Sequence, residues 1–501
     1  MLPESTDVVV VGCGNAALCA ALSAKETGAK VVVLEIAPEE ESGGNSAFTA
    51  GAMRVVYESR DHLLELIPDL SEDELARTDF GTYTANDFID DMARVTEYRT
   101  DPDLVEILVR RSHETLLWMT QHAVRFAPIY GRQAFQVKGK FTFWGGLTIE
   151  TVAGGPGLVQ SLKDECARMG IPIHYESRAT RLLTVDSGVS GVVVETRSAQ
   201  RVIQAGAVVL ASGGFEANPE WRTRYLGPGW DLAKVRGGRF NIGDGIRMAL
   251  EIGASPAGHW SGCHAVQWDR NAPEFGDLAV GDGFQKHSYP FGILVNEEGK
   301  RFLDEGADFR NYTYAKYGHV VLAQPHQVAW QVFDAKTAHL LRDEYKIRQV
   351  TKFSSDTLEA LAARLEGIDQ EQFFRTVAEY NAGVAIDTEF NPNVRDGRGT
   401  TGVTPPKTNW ANTIDTPPFE AYQVTCGITF TFGGLRIVPD TGAVMSVTGR
   451  PIGNLFACGE LVGGLFYFNY PGGTGLTSGS VFGKIAGASA ATAALRQQQL
   501  G

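Results

Sequence analysis

Residues 8–17 read VVVVGCGNAA and residues 30–35 read KVVVLE, and these two stretches decide the fold. The apolar run Val8–Val11 predicts a buried strand, the alanine-rich run Ala16–Lys25 a helix, and Lys30–Glu35 a second, parallel strand. Gly12 permits the tight turn between the first two. Gly14 lets backbone approach a pyrophosphate, with Asn15 and Ala16 beginning a helix whose unpaired N–H groups and dipole favour negative charge. Ala17 stands at the third glycine position and is small enough for close packing of helix on strand. Glu35, 23 residues after Gly12, sits where a carboxylate receives a ribose hydroxyl. Strand, glycine turn, helix, strand and acid in this order predict a dinucleotide-binding βαβ unit, and NAD and FAD both satisfy it at this point.

The 501 residues exceed what one ordinary core organises, so two or three domains, or one fold with large insertions, are expected. Hydrophobic residues at 43% and charged residues at 21% are globular proportions. The net charge of −14 argues against nonspecific nucleic-acid binding. It leaves room for a small anionic substrate held by a local arginine cluster. Six cysteines, Cys13, Cys19, Cys166, Cys263, Cys426 and Cys458, form no CxxC, CxxCH or ferredoxin-like run, so neither haem nor an iron–sulfur centre is encoded. No metal site is expected. Val8–Ala24 could pass for a signal peptide, but Glu4 and Asp7 precede it and no Lys or Arg does. Nothing elsewhere reaches a membrane span, and a cytoplasmic location is the expectation.

Further along, residues 43–54 combine Gly43, Gly44, Asn45, Ser46, Gly51 and other small residues, which suits backbone lying against something flat. Between Asp61 and Phe126 the leucines recur at helical spacing, and Asp101–Pro102 makes a helix start. A glycine-rich turn and amphipathic helix over 154–170, then strands over 171–196 with a turn near Ser187 and Gly188, follow. Ala207–Leu210 reads as another buried strand running into Ser212, Gly213 and Gly214. Asp244 is expected to cap a helix bearing Ile246, Ala249 and Leu250. From His259 to Phe430 the βα alternation is lost, which predicts an inserted second domain. Asn454–Ala457 restores the opening style with a strand, then Gly459 and Glu460, and Gly475, Leu476 and Thr477 lead a small-residue helix ending near Ala494.

Assembled, these residues resemble the flavoprotein family of fumarate reductases, succinate dehydrogenase flavoprotein subunits and ketosteroid dehydrogenases. The resemblance rests on GCGNAA with Glu35, GGNSAFTAGAM from Gly43, ASGGF from Ala211, GDGIRMALEIGA from Gly243, VNEEGKRF from Val295 and ACGE from Ala457. KHSYP from Lys286, DEGADFRNYTYAKYG from Asp304 and NYPGGTGLTSG from Asn469 are most similar to the tricarballylate dehydrogenase branch. The fold this implies is α/β: a Rossmann-like FAD-binding domain (1–258 and 431–501) with an inserted α+β capping domain (259–430). The implied cofactor is FAD, contacted by Gly12, Gly14, Asn15, Ala16, Ala17, Glu35, Gly44, Asn45, Ser46, Gly51, Gly214, Asp244, Gly459, Glu460, Gly475, Leu476 and Thr477. No histidine stands between Gly43 and Arg54, where some relatives attach FAD covalently, so noncovalent binding is expected. No second nicotinamide fingerprint follows a strand, which points to a separate electron acceptor, protein or soluble carrier.

The resemblance also implies oxidation of a C–C single bond in a small polycarboxylate, tricarballylate to cis-aconitate, one carbon exchanging a hydride with flavin N5 and its neighbour a proton with a side chain. Arg310 matches the proton group of fumarate reductases, with one inserted residue. Its alternative is a structural ion pair with Asp304, Glu305 or Asp308. Three positions depart from fumarate reductases: Thr429–Gly434 lacks the histidine pair, Tyr470 replaces an arginine before the final glycines, and Gln285–Ser288 lacks the acidic relay. Tyr470 becomes a neutral donor to an acyl oxygen, or an aromatic plug beside the flavin. His264, His259, Arg236, His287, Phe430 and Thr431 are the candidate substrate contacts, with Arg239 and Lys286 as further cations. A 3-ketosteroid dehydrogenase-type or fumarate reductase-type enzyme is the alternative, and a catalytically silent FAD-binding assembly subunit a third.

Overall fold

The computed structural model describes residues 2–144, 146–186 and 188–500. Its first sheet grows from the fingerprint. The strand Ser5–Val11 pairs in parallel with Val31–Leu34 on one side and with Gln200–Leu210 on the other. The upper end of Gln200–Leu210, Val208–Leu210, pairs in parallel with Leu455–Ala457 of the strand Pro451–Ala457. Its lower end instead pairs antiparallel with Gly188–Thr196, which pairs with Ser177–Val185. Of the expected turn between those two strands, Ser187 lies outside the described residues. Val8, Val9 and Val10 are fully buried, as a parallel strand covered on both faces requires.

One consequence of parallel order is that Val11, Leu34, Leu210 and Ala457 all end on the same edge. The loops that carry Gly12, Glu35, Gly214 and Glu460 therefore gather there without any of them being close in sequence. Ligands of open α/β sheets bind outside these carboxyl ends.

The helix Asn15–Glu26 covers one face of the sheet, and the C-terminal helix Thr474–Leu500 lies against it. That helix runs past Ala494, where the sequence pattern suggested its end. Glycine decides how near the two helices come: a Cβ at Gly487 would stand 2.1 Å from the Ala20 carbonyl oxygen, and one at Gly483 2.5 Å from that of Ala16. Asn15 locks the contact, its Nδ2 donating to the Leu476 carbonyl at 2.9 Å and to Ser480 Oγ at 3.0 Å.

A second, six-stranded sheet is built around the long strand Phe419–Leu435, which pairs with Lys234–Val235, Pro256–Asp269, Ala329–Phe333 and Lys352–Ser355; Ile293–Asn296 extends it beyond Ala329–Phe333. The chain thus contributes to this sheet before His259 and after Phe430. Pro256–Asp269 carries irregularities between His259 and Cys263 and between His264 and Ala265. Such bulges re-aim side chains, and here they separate the fates of His259 and His264.

The helix Asp244–Glu251 departs from expectation at its start. Gly243, at φ 92°, occupies the cap position with no side-chain cap, and Asp244 is the first helical residue. Its carboxylate is taken instead by Arg178, whose Nε and Nη2 donate at 2.7 and 2.9 Å. Tertiary pairing with a guanidinium is stronger than a local cap.

The helix contact generates a direct check. Gly487→Ala forces backbone apart in a close-packed seam and should cost about 2 kcal/mol. Gly131→Ala, where an added Cβ meets nothing within 4 Å, should leave stability unchanged. Urea denaturation of the two variants side by side reads both.

Candidate active site

Two adjoining cavities open on the carboxyl edge of the first sheet. One, about 910 Å³, is lined by Gly12, Gly14, Glu35, Gly44, Asp244 and their neighbours; the other, about 1200 Å³, by residues of the second sheet and of the loops and helix starts beside it. Asn15, Ala16, Asn45, Ser46, Gly459 and Glu460 line both, so the two form one extended cleft. Gly475 and Leu476 line the larger cavity.

The smaller cavity is shaped by backbone. Gly12, at φ 114°, has no room for a Cβ, which would fall 2.3 Å from the Ala211 carbonyl. Glu35 is buried, and burial pushes its carboxyl up from the ordinary range, with the backbone N–H of Ala37 donating to it at 2.8 Å. A buried carboxyl with spare acceptor capacity suits a sugar hydroxyl. Asn15, the first residue of its helix, turns its backbone N–H to Ser46 Oγ at 3.1 Å. A dinucleotide fits this groove: a glycine turn without side chains, a helix start and an acid all line it.

Four expected cofactor residues line neither cavity. Ala17 is wholly buried in packing, as its small size allows. A Cβ on Gly214 would stand 2.0 Å from Glu460 Oε1, so its contribution is to admit that carboxylate. Gly51 makes room for Thr151, and Thr477 Oγ1 donates to the Arg54 carbonyl at 2.8 Å.

The larger cavity gathers the candidate substrate groups. Arg310 makes no ion pair among the described residues. Its three expected partners are engaged elsewhere or turned away: Glu305 pairs with Arg301, Asp308 with Arg94 at 2.7 Å, and Asp304 Oδ1 receives the backbone N–H groups of Gly306 and Thr408. Arg310 instead donates from Nη1 to His287 Nδ1 at 3.0 Å and from Nη2 to the Arg132 carbonyl at 2.7 Å. Because a guanidinium only donates, His287 must accept at Nδ1 and hold its proton on Nε2. That Nε2 has no hydrogen-bond partner among the described residues. Burial, with Arg310, Arg236 and Arg132 nearby, holds the His287 imidazole well below its ordinary pKa and therefore neutral.

His264 is also buried and neutral, its pKa pushed well down by burial and then by Arg236. Neither ring nitrogen has a partner among the described residues, and Tyr314, Phe430 and Tyr470 surround it at ring-centroid distances of 5.0, 5.1 and 4.9 Å. The Tyr470 and Tyr314 hydroxyls touch at 2.5 Å. Burial raises both phenols, so the pair is neutral, with one hydroxyl hydrogen in the bond between them and the other left to donate. Phe430 and Phe466 form an aromatic wall with Tyr470.

Arg236 is buried and fixed by Asp282, which accepts its Nε at 2.8 Å and Nη2 at 2.5 Å and also takes Arg132 Nη1 at 2.8 Å. Three guanidinium groups thus line a cavity in which Asp282 is, among the described residues, their one direct carboxylate partner. Thr431 lines the cavity and gives its backbone N–H to Glu460 at 2.8 Å. His259 lies outside the cavity, accepting the Phe468 N–H at 3.1 Å. Arg239 pairs with Glu41 on an exposed surface, and Lys286 is buried against Asp269 and three backbone carbonyls. His62, Glu65 and His113 form the cluster whose ligand atoms lie close enough for a metal ion, and none of the three lines the cleft.

Sequence reasoning missed Arg132, Tyr314 and Asp282. Tyr314 had a signal, since it sits four residues after Arg310, at the start of the helix Tyr314–Leu322. Arg132 and Asp282 had none.

A family model described as an FAD binding domain matches residues 7–476, and the chain belongs to this family of FAD-dependent oxidoreductases. It is 30% identical to a probable fumarate reductase, Ifc3, of Shewanella frigidimarina, over 98% of this chain and 76% of that protein. It is 29% identical to a 4-oxocyclohexanecarboxylate 2-dehydrogenase of Sinomonas cyclohexanicum, over 97% and 93%. Among solved structures, the open conformation of a flavocytochrome c3 fumarate reductase superposes with a TM-score of 0.71 at 28% identity, over 98% of this chain and 79% of that one. The chain is thus an FAD-dependent oxidoreductase similar to fumarate reductases. Among the described residues no helix is long and apolar enough to cross a membrane.

Asp282→Asn leaves the Arg132 and Arg236 guanidinium groups without their shared charge partner. It should lower stability by about 3 kcal/mol, seen as a lower urea midpoint at unchanged slope.

Proposed function

We propose that this enzyme exchanges two hydrogens with the C–C bond beside an acyl group of a small organic polyacid, tricarballylate to cis-aconitate being the leading reaction. The observation that carries this reading is a cavity, continuous with the FAD groove, lined by three guanidinium groups against two carboxylates, with Arg310 the guanidinium that neither carboxylate pairs. A buried carboxylate without a cation is costly, and a cavity with spare guanidinium groups relieves that cost for an anionic substrate. FAD, when bound, supplies the hydride chemistry.

The chain's own groups then have distinct tasks. Arg310 is held by His287 and the Arg132 carbonyl, receives a substrate carboxylate and exchanges the proton on the neighbouring carbon. Burial lowers its pKa from the usual arginine value, the direction a proton-exchanging guanidinium needs. Tyr470, oriented by Tyr314, donates to the acyl oxygen. His287 Nε2–H and the neutral His264 offer further hydrogen bonds without adding charge. Asn15, Asn45, Ser46, Glu35, Glu460 and the glycine turns hold FAD noncovalently, since no histidine stands between Gly43 and Arg54. Electrons pass to a separate acceptor, protein or soluble carrier.

A second reading is favoured by the Tyr314–Tyr470 hydroxyl pair within an aromatic wall, which suits a cyclic ketone. The dehydrogenase of Sinomonas cyclohexanicum, by name, acts on an oxo acid, and a substrate bearing both ketone and carboxylate would use both ends of this cavity.

Anaerobic mixing of the yellow holoenzyme with tricarballylate, succinate, 4-oxocyclohexanecarboxylate and a 3-ketosteroid separates these readings. Bleaching by a polyacid, weakened by salt, is expected. Bleaching by the ketosteroid alone would move the assignment to steroid chemistry, and no bleaching or reoxidation with any acid or its unsaturated product would favour a silent FAD-binding subunit. Acid precipitation should release all the flavin.

A further inference from the structure

Behind the cleft wall lies a carboxyl that the proposed reaction does not use. Glu216 is fully buried, one residue after the Gly213–Phe215 turn, and its side chain contacts that of Glu460, which faces both cavities. The two oxygens of Glu216 are treated differently. Oε1 accepts from Asn45 Nδ2 at 2.6 Å and from Asn241 Nδ2 at 2.7 Å. The Asn45 amide has a fixed orientation, because its Oδ1 accepts the Gly238 N–H at 3.1 Å, so its nitrogen must be the end facing Glu216. Oε2 has no donor among the described residues. Glu460, by contrast, is well supplied, its Oε1 taking the Thr431 N–H at 2.8 Å and Thr431 Oγ1 at 3.2 Å.

Two ionised carboxylates in contact inside protein repel, and one proton between them removes the repulsion and satisfies the orphan oxygen. We propose that Glu216 is a neutral carboxylic acid that donates from Oε2 to the Glu460 carboxylate, so that the pair presents one negative charge to the cofactor. Glu216 is then a positioning residue: it fixes the orientation and charge of Glu460, which borders the FAD groove. The inference rests on the FAD family assignment and is independent of the substrate.

Other charges near the pair do not supply the missing partner. Arg222 gives its Nη groups to the Ala233 and Asp231 carbonyls at 2.9 and 3.0 Å, and Cys263 is a neutral thiol because burial pushes it up. Burial and the proximity of Glu460 likewise push the Glu216 carboxyl well above the ordinary carboxylate range. The sign for stability follows: native protein keeps a proton that unfolded chain releases, so this group's contribution falls as pH rises above about 4.5 towards its native pKa.

Glu216→Gln, Glu216→Ala and unmodified holoenzyme should be compared by infrared spectroscopy, FAD affinity and flavin midpoint potential at pH 7. A neutral-carboxyl stretching band should disappear in Glu216→Gln. FAD affinity and potential should stay within a tenfold equilibrium shift, about 30 mV for a two-electron couple, because an amide donor replaces an acid donor at equal charge. Glu216→Ala should bind FAD about tenfold more weakly. Had Glu216 been ionised, Glu216→Gln would remove a negative charge, lose no such band and raise the potential by more than 30 mV, and that result overturns the proposal. Should Glu216→Gln not fold, the band is sought at pH 7 in Glu35→Gln/Glu150→Gln enzyme, from which the other carboxyls that burial raises outside the pair are gone. Its persistence supports the assignment and its absence overturns it.

Discussion

The close contact of the first helix with the last is the constraint on which the cleft depends. Asn15 is at once the start of the fingerprint helix and the residue whose amide grips Leu476 and Ser480, 461 and 465 positions away. Gly483 and Gly487 let the backbones approach so closely that no side chain fits between them. This seam sets where Gly475 and Leu476 stand relative to Gly14, and so joins the groove made by the first strands to the cavity made by the second sheet. A change in that spacing would move both walls together.

Around that seam, charge is distributed unevenly along the cleft. At the groove end the acids Glu35 and Glu460 are buried or half-buried and met by backbone N–H groups. At the cavity end arginines prevail, and Asp282 holds two of them in place while Arg310 is left to a neutral imidazole and a carbonyl. A side chain so placed has donors to spare, and neutral His264, Tyr314 and Tyr470 surround the same space without competing for a proton. In the proposed reading this site attracts an anion at one end and polarises an oxygen at the other.

Much of this was legible in the sequence because the cofactor half is written in backbone requirements. Gly12 cannot be replaced at φ 114°, valine runs make parallel strands, and Glu35 follows at a fixed interval; these are local rules. The substrate half obeys tertiary ones. His259 and His264 stand five positions apart, His264 the preferred of the two, and an irregularity in their strand sends His259 to Phe468 and His264 to the cavity. Asp244 looked like a helix cap until Arg178, from a distant strand, claimed it. Arg310 had three acids within six residues, yet all three were engaged elsewhere. Arg132 and Asp282 carried no pattern at all, since their pairing spans 150 positions.

The central proposal is that Arg310 exchanges the substrate proton as the flavin changes redox state. Stopped-flow flavin reduction by saturating substrate, in wild type and in Arg310→Lys, measures that step apart from FAD loading. The rate should fall at least about 100-fold in the lysine variant, with FAD content and visible spectrum retained, as loss of a positioned proton group requires. An unchanged reduction rate in a fully loaded Arg310→Lys enzyme would contradict it.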